Sequence, residues 1–340
     1  MHDTLLRRFN TDFVPNSATM HMTNASGAFE KTYLATACSG EGGMVSTVDD
    51  LLRWLAHMDA LVVGSAATWA AMKTPARLLN GTVTDYGLGL MLGRYRGIDI
   101  VHHPGGGLGA NAQMLKVPAA GLDVVVLVNR QDVSGVDLTY KILDECLPGL
   151  EAAPESSAEA ALTGVYRSPR TGRVVQLFVK DGKQIVSIDA TDLPFERDGG
   201  RALKPTGLTG WLKQLVMLAD ESAQPASIRL IDFGNEDELV ALPPPGRVDV
   251  QTIAGRYRSD TTRTDAQIFL ADDNSPRLKT NGRFGSVTYE LECLASGLWK
   301  ARSMTAMRWS ALLAFDADAP GFTFTSARTS ALPFRRAPAA

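Results

Sequence analysis

A chain of 340 residues has room for about two or three domains, each large enough to bury its own core. At 45% hydrophobic and 21% charged residues it has the composition of a globular protein, and a net charge of −3 argues against nucleic acid or an anionic membrane as partner. No apolar run approaches the roughly 20 residues that cross a bilayer, and Met1–Phe13, with Asp3, Arg7 and Arg8, has no apolar core of a secretory signal. The three cysteines, Cys38, Cys146 and Cys293, are odd in number and far apart. They read as reduced core residues, and the expected setting is cytoplasmic.

Helical and strand patterns alternate over residues 1–150. Ser46-Thr47-Val48-Asp49-Asp50 has the form of a helix start, a hydroxyl cap followed by carboxylates in the first turn, which accounts for the two aspartates without acid–base chemistry. Leu51, Leu52, Leu55 and Met58 follow at helical spacing, and Ser65–Met72 reads as a second short helix. Trp54 and Trp69 fall in these helices as packed residues, and the scattered methionines read as core filler. Tyr86–Leu92 and Ile98–His103 bracket Gly93–Gly97 as an antiparallel hairpin. Gln113–Pro118 and Leu122–Asn129 are two further strands turning at Pro118–Gly121, and Val136–Cys146 is a closing amphipathic helix. The pattern is α+β: an antiparallel sheet with helices packed on it.

Glu151–Ala161 is a small-residue, acidic linker, and beyond it short strands replace helices. Arg173–Lys180, the turn Asp181-Gly182 and Gln184–Ile188 form a hairpin, and Pro243-Pro244-Pro245-Gly246 marks a second break. Gly164-Val165-Tyr166-Arg167-Ser168 is echoed by Gly255-Arg256-Tyr257-Arg258-Ser259. Each is followed by an apolar strand (Val174–Val179, Gln267–Leu270) and a turn (Asp181-Gly182, Asp272–Asn274). This internal repeat predicts two small antiparallel β-barrels, over residues 162–246 and 250–337.

The segment Val101–Arg130 carries the chemistry. A strand brings a histidine into Gly105, Gly106, Gly107 and Gly109, whose missing side chains let another backbone approach. Such an edge suits a peptide-like substrate added as a strand; a glycine-rich hairpin with a surface histidine is the plainer alternative. Gly-x-Ser-x-Gly, Cys-x-x-Cys, His-Glu-x-x-His and Gly-x-x-x-x-Gly-Lys do not occur in the sequence. Neighbouring His102 and His103 point to opposite faces of a strand and cannot jointly hold a metal, so neither metal nor cofactor is expected.

Gly42-Gly43-Met44-Val45-Ser46-Thr47-Val48-Asp49-Asp50-Leu51, Tyr86-Gly87-Leu88-Gly89, His103-Pro104-Gly105-Gly106 with Gly109, and Val124–Asn129 follow one another in the order found in penicillin-recognising serine hydrolases, which the chain resembles. That family includes serine β-lactamases, DD-peptidases, esterases and D-aminopeptidases; two barrels behind the catalytic domain resemble the D-aminopeptidases. The resemblance implies that residues 1–150 are the C-terminal part of a β-lactamase-like domain. His103, Pro104 and Gly105 match the His-x-Gly element beside the nucleophile, with His103 orienting substrate or aiding proton transfer. Gly106 would supply an oxyanion-hole N–H, and Gly105 and Gly109 would keep the groove open. Pro104 departs from the more common glycine and, lacking an N–H, should sit where a strand edge is unpaired. A loop at Ser296–Met304 is the candidate for a barrel segment reaching the site.

The family's Ser-x-x-Lys and Tyr-x-Asn are absent from these 340 residues; Ser296 and Lys300 are one position too far apart. The resemblance places both before the Gly-Gly-Met-Val-Ser-Thr segment, with Met1-His2-Asp3-Thr4 similar to the Gly-Met-x-x-Thr element that follows them. The chain therefore reads as one that starts in mid-domain, leaving Val124–Val128 as an unpaired apolar sheet edge prone to aggregate or to borrow strands. The implied activity is release of N-terminal D-amino acids from peptides or amides through an acyl-enzyme, with this chain inactive alone. The alternatives are a β-lactamase-like esterase, a DD-peptidase or a non-catalytic binding protein. Expected partners are a small peptide or amide substrate, with a homodimer left open.

Overall fold

The computed structural model describes residues 1–340 except 10, 25–26, 34–41, 153–160, 198–201, 207–214, 220–221, 247–248, 284, 306–308, 317–319, 328 and 338–340. Cys38 and most of the predicted linker lie outside the described residues. Two compact units divide the chain, one holding Met1–Glu155 and the other Ser156–Thr206 and Leu215–Ala340.

In the first unit, β1 (Leu5–Leu6) pairs with β4 (Met44–Val45) and β2 (Met20–Thr23) with β3 (Phe29–Thr32), both antiparallel. Then come α1 (Val48–His57), α2 (Ala66–Met72), β5 (Met91–Tyr95), β6 (Ile98–Gly107), β7 (Ala110–Val117), β8 (Leu122–Val128) and α3 (Gly135–Cys146). Each helix starts on a hydroxyl cap: Thr47, Ser65 and Ser134 accept from the backbone N–H of Asp50, Thr68 and Asp137. Strands β5 to β8 form an antiparallel sheet in chain order. Strand alternation gives it two apolar faces. Val101, Met114 and Val125 pack with Leu55, Met58, Trp69 and Leu90 around α1 and α2. Ile100, Leu115 and Val124 pack with Leu143 of α3.

Three expectations need correction. The first hairpin is shorter than predicted: β5 begins at Met91, and Arg96-Gly97, both at positive φ, makes the turn, with Gly93 inside the strand opposite Ile100. Cys146 is exposed at the end of α3 and Cys293 is half-buried, so neither is a core residue, although both are free thiols. Some methionines fill cores (Met58, Met91, Met217), but Met44 and Met304 are exposed.

Asp50 does more than complement a helix dipole. Its carboxylate, fully buried, accepts from the backbone N–H of His2 (3.0 Å) and Asp3 (2.7 Å), from Thr4 Oγ1 (2.8 Å) and from Arg53 (2.6 Å), tying residues 2–4 to α1. Burial alone would raise its pKa; these four donors outweigh burial and hold it well below the carboxylate range.

Strand β8 is the outer strand of the sheet, with Leu127 43% exposed. Its far end is covered: the backbone N–H of His21 donates to Asn129 O, and His21 O accepts from Gln131 N. No helix among the described residues is long and apolar enough to cross a membrane.

The second unit holds two closed eight-stranded antiparallel barrels, β9 (Gly164–Arg167) to β16 (Asn235–Ala241) and β17 (Gly255–Ser259) to β24 (Thr329–Arg336). The repeated Gly-x-Tyr-Arg-Ser segments open the two barrels as β9 and β17, and each tyrosine is buried. Tyr166 Oη donates to Thr163 O and Tyr257 Oη to Ile253 O, the same device in both copies. Asp181 and Gly182 adopt positive φ and close the predicted hairpin. Ser296–Met304 is not a loop: Ser296-Gly297 is a tight turn and Leu298–Ser303 is a barrel strand, nearly all buried. Lys300 of that strand is fully buried and donates to Asp192 Oδ1 (2.7 Å), Ser187 Oγ (3.0 Å) and Gln176 Oε1 (3.3 Å) of the first barrel. Leu294, Ala295, Leu298 and Leu312 pack beside it on Val174 and Ala190.

Candidate functional site

Strand β6 is internal to the sheet only over its first half. Its pairing with β5 ends at Met91 opposite His102, while pairing with β7 runs on from Val101 to Gly107. Among the described residues no strand pairs with that flank of β6 from His103 onward, so Pro104 sits at a locally unpaired edge, where a missing N–H removes no ladder bond. Successive residues of an antiparallel strand direct their N–H and C=O to opposite flanks. Pro104 O is taken by His103 Nδ1 (2.7 Å), which sets that residue on the open flank. Gly106, two residues on in an uninterrupted register, directs its N–H to the same flank.

His103 lies on the α1/α2 face of the sheet, between Val101 and Gly105 in the alternation. Its Nε2 lies 2.8 Å from Tyr86 Oη, with the rings edge to face at 5.7 Å. Tyr86 is held by its main chain: its N–H donates to Thr84 Oγ1 (3.2 Å) and its C=O accepts from Ala76 N (2.9 Å). Gly87 follows because its Cα lies against the end of α2, where a Cβ would overlap the Met72 carbonyl oxygen. The Tyr86-Gly87 pair is thus a device that seats a tyrosine over His103.

His102 points the other way, as expected. It is buried on the α3 face, its Nδ1 3.1 Å from Gln113 Nε2, so the two histidines share no site. No cluster of His, Cys, Asp and Glu suited to a metal occurs among the described residues.

The glycines divide by role. A Cβ on Gly106 would meet nothing within 4 Å, and one on Gly105 would meet only Ala112 Cβ, at 3.6 Å. Gly105 leaves the strand bare on the α1 face and Gly106 on the opposite face, both beside the open flank. Gly109 does not keep a groove open. It turns the β6–β7 hairpin at φ +83°, and a Cβ there would overlap Thr32 Oγ1 and lie 2.7 Å from His21 N, so it lets the β2–β3 hairpin pack closely. His21 N donates to Gly109 O at 3.1 Å.

Tyr86 is the site residue that reading the sequence missed. It stood in the Tyr-Gly-Leu-Gly motif without a role, because only the register of β5 on β6 brings it to His103. Among the described residues His103 and Tyr86 make no side-chain hydrogen bonds beyond these, and no serine, cysteine or lysine is bonded to either.

The site is thus a half-open strand that presents a histidine–tyrosine pair beside bare glycines, in an antiparallel sheet between helices. Residues 1–146 match the family model described as Beta-lactamase. A D-aminopeptidase of Cereibacter sphaeroides is 25% identical over 287 residues, covering 83% of this chain and 51% of that protein. One of Brucella ovis is 22% identical over 232 residues, covering 66% and 42%. Among solved structures, the octameric penicillin-binding protein homologue from Pyrococcus abyssi is 13% identical with a TM-score of 0.38, covering 98% of this chain and 56% of that one. The amino-terminal part of the chain is similar to the family whose model it matches, and the chain as a whole is similar to D-aminopeptidases. The chain spans about half the length of the curated relatives it matches.

Proposed function

We propose that this chain supplies the substrate wall and barrels of a serine hydrolase that releases N-terminal D-amino acids from peptides or amides through an acyl-enzyme. The observation that carries this reading is the open flank of β6, where the Gly106 N–H and the His103–Tyr86 pair stand on one bare strand end. In this reading Gly106 donates to the developing oxyanion, Gly105 leaves room for the substrate backbone, and Pro104 holds His103 in place. The nucleophile and its lysine are not among these 340 residues, so the chain alone performs no acyl transfer. The substrate is a small peptide or amide, and the unbridged Cys146 and Cys293 support a cytoplasmic setting. The similarity to D-aminopeptidases favours this activity over esterase, β-lactamase or DD-peptidase action.

A fluorescent penicillin tests the reading. The chain alone is expected to take no covalent label. The same chain joined behind an amino-terminal segment that carries Ser-x-x-Lys and Tyr-x-Asn is expected to be labelled, and to lose the label when that serine is replaced. A folded, soluble joined protein that takes no label would favour the second reading, a non-catalytic peptide-binding protein, which the lack of Ser-x-x-Lys in this sequence supports.

A further inference from the structure

We propose that Tyr86, and not His103, presents the site's polar atom to a ligand, and that His103 is the positioning residue that makes the Tyr86 oxygen an acceptor for a ligand N–H. The class of ligand, a peptide or amide with a free amine, rests on the function proposed above; the proton arrangement does not.

A carbonyl oxygen only accepts, so the 2.7 Å contact between His103 Nδ1 and Pro104 O requires the ring proton on Nδ1. A neutral imidazole then has none on Nε2, which must accept. The group 2.8 Å away is the Tyr86 hydroxyl, so Tyr86 donates. Both ring nitrogens are thereby used inside the protein, and neutral His103 has no polar atom left for a ligand. Tyr86 Oη has given its single proton to the ring and keeps its lone pairs. No other described side chain bonds to it, and donating toward the imidazole strengthens the oxygen as an acceptor.

The surroundings suit that role. The main chain of Tyr86 is tied on both sides, to Thr84 Oγ1 and Ala76 N, and its ring is seated edge to face on His103. Tyr86 is 37% exposed. Gly105, the next residue on the His103 face of β6, carries no side chain to cover the pair. A ligand N–H, whether ammonium or amide, meets an oxygen that can only accept, whereas a carboxylate meets no donor at Tyr86.

The test begins with the intact chain labelled with ¹⁵N-histidine. Long-range ¹H–¹⁵N correlation spectra, recorded with the ring neutral and with His103 assigned by loss of its signals in His103→Phe, are expected to show a protonated Nδ1 and a bare Nε2. In Tyr86→Phe the Nε2 resonance should move while Nδ1 stays protonated. A proton on Nε2 in the unmodified chain overturns the proposal. D-alaninamide is then titrated. Tyr86→Phe is expected to weaken its binding about five- to tenfold, as one lost hydrogen bond does. His103→Phe should also weaken it, and the double variant should be no weaker than Tyr86→Phe alone, since His103 acts through Tyr86. Additive losses, or a Tyr86→Phe chain that binds as the unmodified one does, refute the role of Tyr86. If D-alaninamide does not bind at all, the ligand-facing part and the proposed substrate class fall together, while the tautomer result stands by itself.

Discussion

Replacing Lys300 by Met keeps most of the buried stem and removes the ammonium that joins the two barrels. Three acceptors lose their donor: Asp192 Oδ1, Ser187 Oγ and Gln176 Oε1. Asp192 is 38% exposed and recovers water, so most of the cost falls on the buried Ser187 and on the broken ion pair. Breaking a fully buried pair costs about 3–5 kcal/mol, and a buried unsatisfied group about 1–3 kcal/mol. With one partner hydrated and the thioether gaining apolar burial, the expected loss is about 2 kcal/mol, or roughly thirtyfold in the local opening equilibrium. Hydrogen exchange read by mass spectrometry over Leu298–Ser303 measures that opening directly. Lys300→Ala should open further, because it adds a cavity. A Met variant as protected as the unmodified chain would refute the view that the ammonium joins the barrels. Burial pushes the Lys300 pKa down, with Asp192 partly opposing. Between that lowered value and the ordinary 10.5 the unfolded chain binds a proton that the folded chain does not, so stability from this group rises with pH across that interval. Lys300→Met should remove the slope.

Lys116 gives the opposite sign. Burial lowers its pKa, but Asp123 and Asp59 more than compensate and the net shift is upward, so its contribution is full below 10.5 and is lost as pH rises through the folded value. Alkaline unfolding of the first unit should lose part of its steepness in Lys116→Met. Tyr95, pushed up to about 12 by burial and by Asp144, should be among the last phenols to ionise in an absorbance titration, and Tyr95→Phe should delete that late step. Gly109→Ala, forced to φ +83° and into Thr32, should cost about 2 kcal/mol and free the β2–β3 hairpin to exchange. Gly106→Ala, with open space around it, should change stability by no more than about 0.5 kcal/mol. On the outer strand, Leu127→Lys should slow aggregation in light scattering while leaving the circular dichroism spectrum unchanged.

What could be read from the sequence was local. Thr47, Ser65 and Ser134 cap helices through bonds three residues long, and Asp181-Gly182 turns within two, so those elements and the repeated barrels were legible. The misreadings lie where distant chain decides. Tyr86–Leu90 has a strand-like pattern, but Gly87 is pressed against Met72 at the end of α2, which keeps the segment out of the sheet until Met91. Ser296–Met304, with its glycine and charges, looked like a loop; Lys300 is buried there because acceptors from the other barrel surround it. Asp50 reads as a helix-dipole residue from its neighbours, whereas three of its four donors come from residues 46–48 positions away. The histidine strand itself was legible as a site, but not its partner, since the 17 residues between Tyr86 and His103 conceal a register that only the folded sheet reveals.

The most direct test of the proposed function is the ratio of rates on D- and L-alanine p-nitroanilide, measured with the chain joined behind an amino-terminal segment that carries Ser-x-x-Lys and Tyr-x-Asn. Release of p-nitroaniline from the D isomer, with little from the L isomer and a large loss in Tyr86→Phe, is the predicted result. Equal rates on the two isomers, or full activity with Phe at position 86, would contradict it.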